Sequence, residues 1–334
     1  MAKNADLLNA KNVKNDEFYT QLTDVSKELM YYKEHFKGKV VFCNCDDPIW
    51  SAFWKYFHLN FKALGLKKLI STHYDKSELT YKMEYEGGDD NNVKAGVKTS
   101  LWGNGDFRNQ ECLDLMDESD IIVTNPPFSL FRDYVAVLIE HNKKFLIVGN
   151  INAITYKEVF PLVKDNKIWL GCRSLSKDMY FDVPNERKEW LVRNKKEGSA
   201  YKIIDGVVMG RLASACWYTN LDHAKRHKII DTTYSYTKKD ELYPDLYYKY
   251  DNFDAINVNK VSEIPMDYDG IIGVPITFMD KYNPEQFEIV GCTYNYGIPK
   301  GWSKDTNMQP IVNGKPIYKR ILIRNKVGAN NGQD

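Results

Sequence analysis

Apolar positions along the first two thirds of the chain alternate between two periods. Residues 39–44 (KVVFCN) form a short apolar, β-branched run after Gly38. Residues 48–65 (PIWSAFWKYFHLNFKALG) then carry aromatics at the spacing of an amphipathic helix opened by proline. Residues 67–72 (KKLIST) predict a second strand, and the polar stretch at 84–92, rich in Gly and Asn, reads as an inserted hairpin or mobile loop. Further apolar strands are predicted at 100–107, 120–125 (DIIVTN) and 144–150 (KFLIVGN), with helical patterns at 111–118 and 129–141. Residues 155–166 add a helix, 168–171 a strand, and 215–221 (ACWYTNL) a strand suited to a sheet edge. Strands alternating with helices predict an α/β fold with a doubly wound, mostly parallel sheet.

The pattern fades beyond about residue 225. Residues 234–253 (YSYTKKDELYPDLYYKYDNF) are tyrosine-rich and loop-like, and residues 315–326 (KPIYKRILIRNK) hold five basic residues and no acid. The expected organisation is therefore a catalytic domain over 1–225 and a smaller region over 226–334. No repeat or low-complexity tract points to a repeat architecture.

Composition narrows the class. With 334 residues, 43% hydrophobic and 27% charged, the chain can bury a full core and has room for a second small unit. A net charge of +1 argues against coating nucleic acid nonspecifically, yet allows a local basic face. No apolar run has the length of a signal peptide core or membrane span, so a cytoplasmic location is expected. The six cysteines form no CxxC pair and no Cys–His set at ligand spacing, which predicts neither a disulfide frame nor a metal site.

The chemistry concentrates at Asn125-Pro126-Pro127-Phe128, directly after the strand at 120–125. In open α/β sheets, ligands bind at the carboxyl ends of strands. From average residue frequencies, such a tetrapeptide arises by chance in roughly 1% of chains this long. An aromatic exocyclic amine is a poor nucleophile because its lone pair is delocalised into the ring. Two hydrogen-bond acceptors draw it toward tetrahedral geometry, and the Asn125 side-chain oxygen and the Pro126 carbonyl supply such a pair. Phe128 then stacks on a flipped base. The blander alternative is a rigid turn with Phe128 in the core.

Asn125 to Phe128 resembles the catalytic tetrapeptide of amino-methyltransferases, and the chain resembles the EcoRI-type adenine-specific DNA methyltransferases over most of its length. The segments that carry the resemblance are residues 16–21 (DEFYTQ), 43–48 (CNCDDP), 125–132 (NPPFSLFR), 155–160 (TYKEVF) and 273–287 (GVPITFMDKYNPEQF). It implies an S-adenosyl-L-methionine-dependent methyltransferase fold, a smaller C-terminal DNA-recognition region, and methyl transfer to the N6 amine of adenine in double-stranded DNA. It also implies cofactor contacts from Phe18, Tyr19 and Thr20 at the methionine end, and from Asp106 and Phe107 at the adenine. The local alternative for Asp106 is a helix cap. Asn44, Asp46 and Asp47 stand in the loop after the first strand, which has no glycine where the broad methyltransferase pattern has one. Asp46 or Asp47 is expected to meet the cationic end of the cofactor, the alternative being an N-cap. Tyr74 and Asp75, at the end of the second strand, are the candidates for the ribose, and Tyr180 and Phe181 for holding the flipped base.

Other signals are open. His223 and His227 have a metal-compatible spacing but sit among lysine and arginine, which favours a basic helix end facing DNA. The tyrosines and lysines of 234–260 suit either base stacking or simple packing, and Lys315, Lys319, Arg320 and Arg324 either phosphate contact or a solvated strand face. Rival activities are cytosine N4 methylation, which needs the same acceptor pair, protein glutamine methylation, and a silent DNA-binding relative. Cytosine C5 methylation is excluded, since that chemistry needs a cysteine nucleophile, typically after proline, and no Pro-Cys pair occurs. A monomer is expected, with a cognate restriction endonuclease in the same system making no direct contact.

Overall fold

The computed structural model describes residues 19–75, 80–212, 214–293, 297–298 and 309–326. The chain divides into two compact units: one holds the residues up to Ala153 together with Leu170–Asp222, the other Ile154–Trp169 and the residues from His223 onward.

In chain order the first segment runs β1 (Tyr19–Thr20), α1 (Leu22–Leu29), α2 (Lys33–Phe36), β2 (Val40–Cys43), α3 (Ala52–Leu59), α4 (Phe61–Leu64) and β3 (Lys68–Thr72). It continues with β4 (Tyr81–Tyr85), β5 (Val97–Ser100), α5 (Gln110–Glu118), β6 (Ile121–Thr124), α6 (Phe131–Glu140) and β7 (Lys144–Asn150). After α7 (Phe160–Lys164) come β8 (Trp169–Leu170), β9 (Met179–Asp182), α8 (Asn185–Asn194), β10 (Tyr201–Ile204), β11 (Val207–Leu212) and β12 (Ala215–Thr219).

The large sheet has the order β5-β4-β3-β2-β6-β7-β12-β8. β3, β2, β6 and β7 are mutually parallel and buried along nearly their whole length, as strands covered on both faces must be. β12 is antiparallel to β7. The other side departs from the sequence expectation: of residues 100–107 only Ser100 lies in a strand, as the last residue of β5. Instead β4 and β5 make an antiparallel hairpin on β3, enclosing most of the Gly- and Asn-rich stretch. The physical reason lies in Gly103 and Gly105, which break the run, and Gly105 has φ +74°, outside any strand conformation.

Two helix starts also differ from expectation. α3 begins at Ala52 rather than at Pro48, because the Ser51 hydroxyl accepts from the backbone N–H groups of Phe53 (3.0 Å) and Trp54 (3.3 Å). The helix expected over 155–166 is confined to Phe160–Lys164. α1 went unpredicted, though Val25, Glu28 and Leu29 line one buried face. The core under the sheet is aromatic, with Trp54, Phe57, Phe36 and Trp217 fully enclosed.

A second, four-stranded sheet in the same unit has the order β1-β9-β11-β10, all antiparallel, with α8 beside it. Its small core is Val183, Leu191 and Tyr201. The other unit holds α7, α9 (Lys239–Leu242) and a sheet of β13 (Ile256–Asn257), β14 (Ile272–Pro275), β18 (Arg320–Asn325) and β15 (Phe287–Cys292). β16 (Ile311–Val312) and β17 (Lys315–Pro316) form a hairpin there, turned by Asn313 and Gly314, both at positive φ.

Glu28 fastens α1 to the segment that leads into the second sheet. Its buried carboxylate accepts from the backbone N–H groups of Cys172 (2.6 Å) and Arg173 (2.7 Å) and from the Tyr32 hydroxyl (3.0 Å). Asp24, one turn earlier, pairs with the Arg173 guanidinium at 2.5 Å. Glu28→Ala leaves two part-buried N–H groups and the buried Tyr32 hydroxyl without this acceptor, and is expected to lower unfolding free energy by about 2–3 kcal/mol, read by urea denaturation. A loss under about 0.5 kcal/mol shows that the carboxylate does not hold this junction.

Candidate active site

β2 and β6 are parallel neighbours, so the turns that leave their carboxyl ends emerge side by side. From β2 come Asn44, Cys45, Asp46 and Asp47; from β6 come Asn125, Pro126, Pro127 and Phe128. Asp46 ties the two turns together. Its Oδ2 accepts a short hydrogen bond from the Thr124 hydroxyl and one of 3.3 Å from the Asn125 N–H, and its Oδ1 accepts from the Ser51 hydroxyl at 3.0 Å. The Ser71 hydroxyl donates to its backbone carbonyl. Burial pushes the Asp46 carboxyl up to about 6, with the donors from Thr124, Ser51 and Asn125 opposing that rise.

Asp47 faces the other way. Its Oδ1 accepts from the Tyr81 hydroxyl (2.8 Å) and the Ile49 N–H (2.9 Å), and its Oδ2 lies 3.2 Å from His73 Nδ1. It thus fastens the β2 turn to β3 and β4, as Asp46 fastens it to β6.

Asn44 is buried. Its Oδ1 accepts from the Tyr134 hydroxyl, its carbonyl accepts from the Thr72 hydroxyl (3.0 Å), and its Nδ2 has no hydrogen-bond partner among the described residues. Thr20 Oγ1, on β1, is buried and likewise without a partner among the described residues. Buried polar atoms without partners are costly unless a bound group meets them. A donor and a hydroxyl of this kind suit the carboxylate, amino and hydroxyl groups of S-adenosylmethionine, so these residues fit that group. Tyr19 lies on β1 beside Thr20, and Phe18 falls outside the described residues.

The loop after β5 closes over the end of β3. A Cβ on Gly105 would stand 2.1 Å from the His73 carbonyl oxygen, and the Asp75 N–H donates to the Asn104 carbonyl (3.2 Å). Tyr74 and Asp75 are thereby brought beside Asp106 and Phe107. Asp106 is engaged locally: Arg108 donates to it from Nε (2.9 Å), from a terminal nitrogen (2.7 Å) and from its backbone N–H (3.0 Å). These bonds hold its carboxyl below the usual range. Phe107 is buried, its ring edge-on to Tyr134 at 4.9 Å.

Phe128 is half-buried and packs against the main core, as do the fully buried Phe181 and Met179 of β9. Tyr180 is half-buried, and its carbonyl accepts from Gln21 (2.8 Å).

Sequence reasoning missed Tyr134, whose hydroxyl meets Asn44 while its ring meets Phe107. In the sequence it is one more apolar position of α6. Thr124, Ser51 and Ser71 were equally silent, since a hydroxyl beside a strand end carries no pattern.

The remaining candidates lie in the other unit. His227 pairs with Glu285 (3.0 Å), Lys225 with Asp280 (2.6 Å), and the Arg226 guanidinium sits 3.7 Å from the Trp169 ring centroid. His223 caps the turn at Arg226 through Nδ1. Among the described residues no three potential ligands form a metal-binding group. Arg320 is buried against Asn257, Asn259 and the Tyr318 carbonyl, and Arg324 lies 3.4 Å from Glu288; Lys315 is exposed on the β16–β17 hairpin. Tyr234, Tyr236, Tyr243, Tyr247 and Tyr268 pack on one another. No described helix is long and apolar enough to cross a membrane.

The family described as adenine-specific methyltransferase EcoRI matches residues 6–326. The chain is 46% identical to the Type II methyltransferase M.EcoRI of Escherichia coli, over 98% of this chain and 99% of that protein. It is 38% identical to Type II methyltransferase M.MpnI of Mycoplasma pneumoniae, over 95% and 97%. It is 37% identical to Type II methyltransferase M.MgeORF184P of Mycoplasma genitalium, over 94% and 97%. No solved structure matches. A family match across nearly the whole sequence, on a sheet whose strand ends assemble the Asn-Pro-Pro-Phe turn, makes this chain a member of the EcoRI family of adenine-specific methyltransferases.

Proposed function

We propose that this protein transfers a methyl group from S-adenosyl-L-methionine to the N6 amine of a flipped adenine in double-stranded DNA, as the modification activity of a restriction system. The observation that carries the reading is the Asn125-Pro126-Pro127-Phe128 turn, which leaves β6 beside Asp46.

The cofactor supplies an electrophilic methyl on a cationic sulfur. The protein supplies position. The Asn125 side-chain oxygen and the Pro126 carbonyl accept the two protons of the adenine amine, and Pro126 has no N–H to compete. Phe128 braces the base against the core. Asp46, hydrogen-bonded to the Asn125 backbone, is the carboxylate nearer the acceptor pair and carries the charge that attracts the cationic donor. Asp47 holds the loop to His73 and Tyr81. Asn44 Nδ2 and Thr20 Oγ1 bind polar groups of the donor, with Phe18 and Tyr19 lining its methionine end. Tyr74 meets the ribose, and Asp106 with Phe107 the adenine ring. The Asp106 carboxylate retains lone pairs for an amine beyond those Arg108 occupies. Alignment in a water-poor pocket supplies the rate, without a general base of tuned pKa. Residues 226–334 carry target recognition, and a single copy suffices to mark one strand.

Incubation with labelled S-adenosylmethionine and mixed-sequence duplex DNA, followed by nucleoside analysis, is expected to yield N6-methyladenosine. Asn125→Ala should lower the rate about 100- to 1,000-fold while still binding the donor. Methylcytosine instead overturns the target base; donor binding without any DNA product overturns the DNA reading.

The Asp46 carboxyl makes a second prediction. The unfolded chain has this group near its ordinary value of about 4, so between about pH 4 and 6 the folded state holds more protons. Its contribution to stability therefore falls as pH rises through that window, and Asp46→Asn removes this dependence. The ionised form attracts the donor, so donor affinity is expected to be flat above about pH 7 and to weaken by up to about tenfold per unit below pH 6. A titration of donor binding against pH that stays level for wild type speaks against Asp46.

Tyr134→Phe deletes the hydroxyl that orients Asn44. A roughly fivefold rise in donor Kd is expected, with kcat at saturation nearly unchanged. An equal fall in kcat with no change in Kd assigns Tyr134 elsewhere.

A further inference from the structure

The overall charge of +1 conceals a local excess: residues 185–202 hold six lysines and arginines against three glutamates. They form α8 and the start of the β10–β11 hairpin. Part of that charge is neutralised, since Lys188 pairs with Asp182 (2.7 Å) and Arg193 with Glu189 (3.2 Å). Lys195, Lys196 and Lys202 are exposed and have no carboxylate at ion-pair distance among the described residues. Trp190 is exposed between cations, with Arg187 at 4.3 Å and Lys195 at 5.3 Å from its ring centroid. The apolar neighbours Val192, Ile203 and Val207 are exposed as well. The hairpin tip, Asp205-Gly206, has positive φ at both residues (+49° and +78°), as a tight two-residue turn requires.

We infer that α8 and the β10–β11 hairpin form a second surface for duplex DNA, on the first unit and separate from residues 226–334; the inference rests on the DNA reading above. Three unneutralised lysines and a cation-flanked tryptophan complement a phosphate backbone. The surface is also anchored. β9, on the same sheet, buries Met179 and Phe181 in the core that Phe128 packs against, and pairs Phe181 with Thr20 of β1. The sheet that carries the hairpin is thus packed on the same core as the Asn125–Phe128 turn. Phosphate contacts set register and orientation without reading sequence.

The test is duplex binding by fluorescence anisotropy with S-adenosylhomocysteine present, across a salt series, for wild type and for Lys195→Gln/Lys196→Gln/Lys202→Gln. The plot of log affinity against log salt is expected to become shallower by about 2 to 3, with Kd at moderate salt raised about tenfold. Donor binding should persist. An unchanged salt slope overturns the proposal. So does an equal change in a control triple variant of exposed lysines before β3 and at the start of β7, Lys62→Gln/Lys67→Gln/Lys144→Gln. Failure of the wild-type protein to bind or methylate any duplex overturns the DNA reading itself, and this surface with it.

Discussion

The site is organised around one carboxylate. Asp46 gathers the ends of β2 and β6, the Ser51 cap of α3 and the Ser71 hydroxyl of β3. Parallel strands bring their carboxyl ends to one edge, but their turns do not choose a mutual arrangement unaided. Hydrogen bonds to a part-buried acid supply that choice, and they are strong because few waters compete for them. The cost is a proton affinity well above that of an exposed aspartate. The same burial that makes Asp46 a rigid tether disfavours its charged form, which the donors from Thr124, Ser51 and Asn125 partly restore.

Around that tether the loops divide their work. Asp47 is committed to Tyr81 and His73, Asn44 to Tyr134 and Thr72, and the glycine-bearing loop after β5 lies on the His73 carbonyl. A turn without glycine after β2, unusual for a cofactor-binding sheet, is thus stabilised by side chains on three strands, β3, β4 and β6, and on α6. Preorganisation comes from polar contacts where other sheets use close backbone approach.

What was legible in the sequence follows from burial. β2, β6, β7 and β12 announce themselves as largely apolar runs because both faces are covered, while β3 is buried but ends on Ser71 and Thr72. β5 is exposed throughout, with no apolar run to betray it, and the glycines that follow disguised where the strand stops. The β1-β9-β11-β10 sheet went unseen because β10 and β11 mix exposed and buried positions and β1 is two residues long. Among site residues, the Asn-Pro-Pro-Phe turn stands out through rare composition. Tyr134, by contrast, is identified only by what its hydroxyl reaches, a fact of three-dimensional contact that no periodicity encodes.

The connectivity of the two units has an evolutionary consequence. The chain leaves the first unit after Ala153, returns at Leu170 and leaves again after Asp222, so α7 belongs with sequence that follows some sixty residues later. Phe160 shows the debt: an added Cβ on Gly297 would stand 3.2 Å from its ring. A single crossover between genes of two such enzymes therefore cannot exchange the second unit whole. Recombination at residue 222 would pair one parent's α7 with the other parent's sheet, placing unselected side chains against each other in a packed interior. Lineages of this architecture are expected to diversify by substitution within an intact chain more readily than by swapping modules.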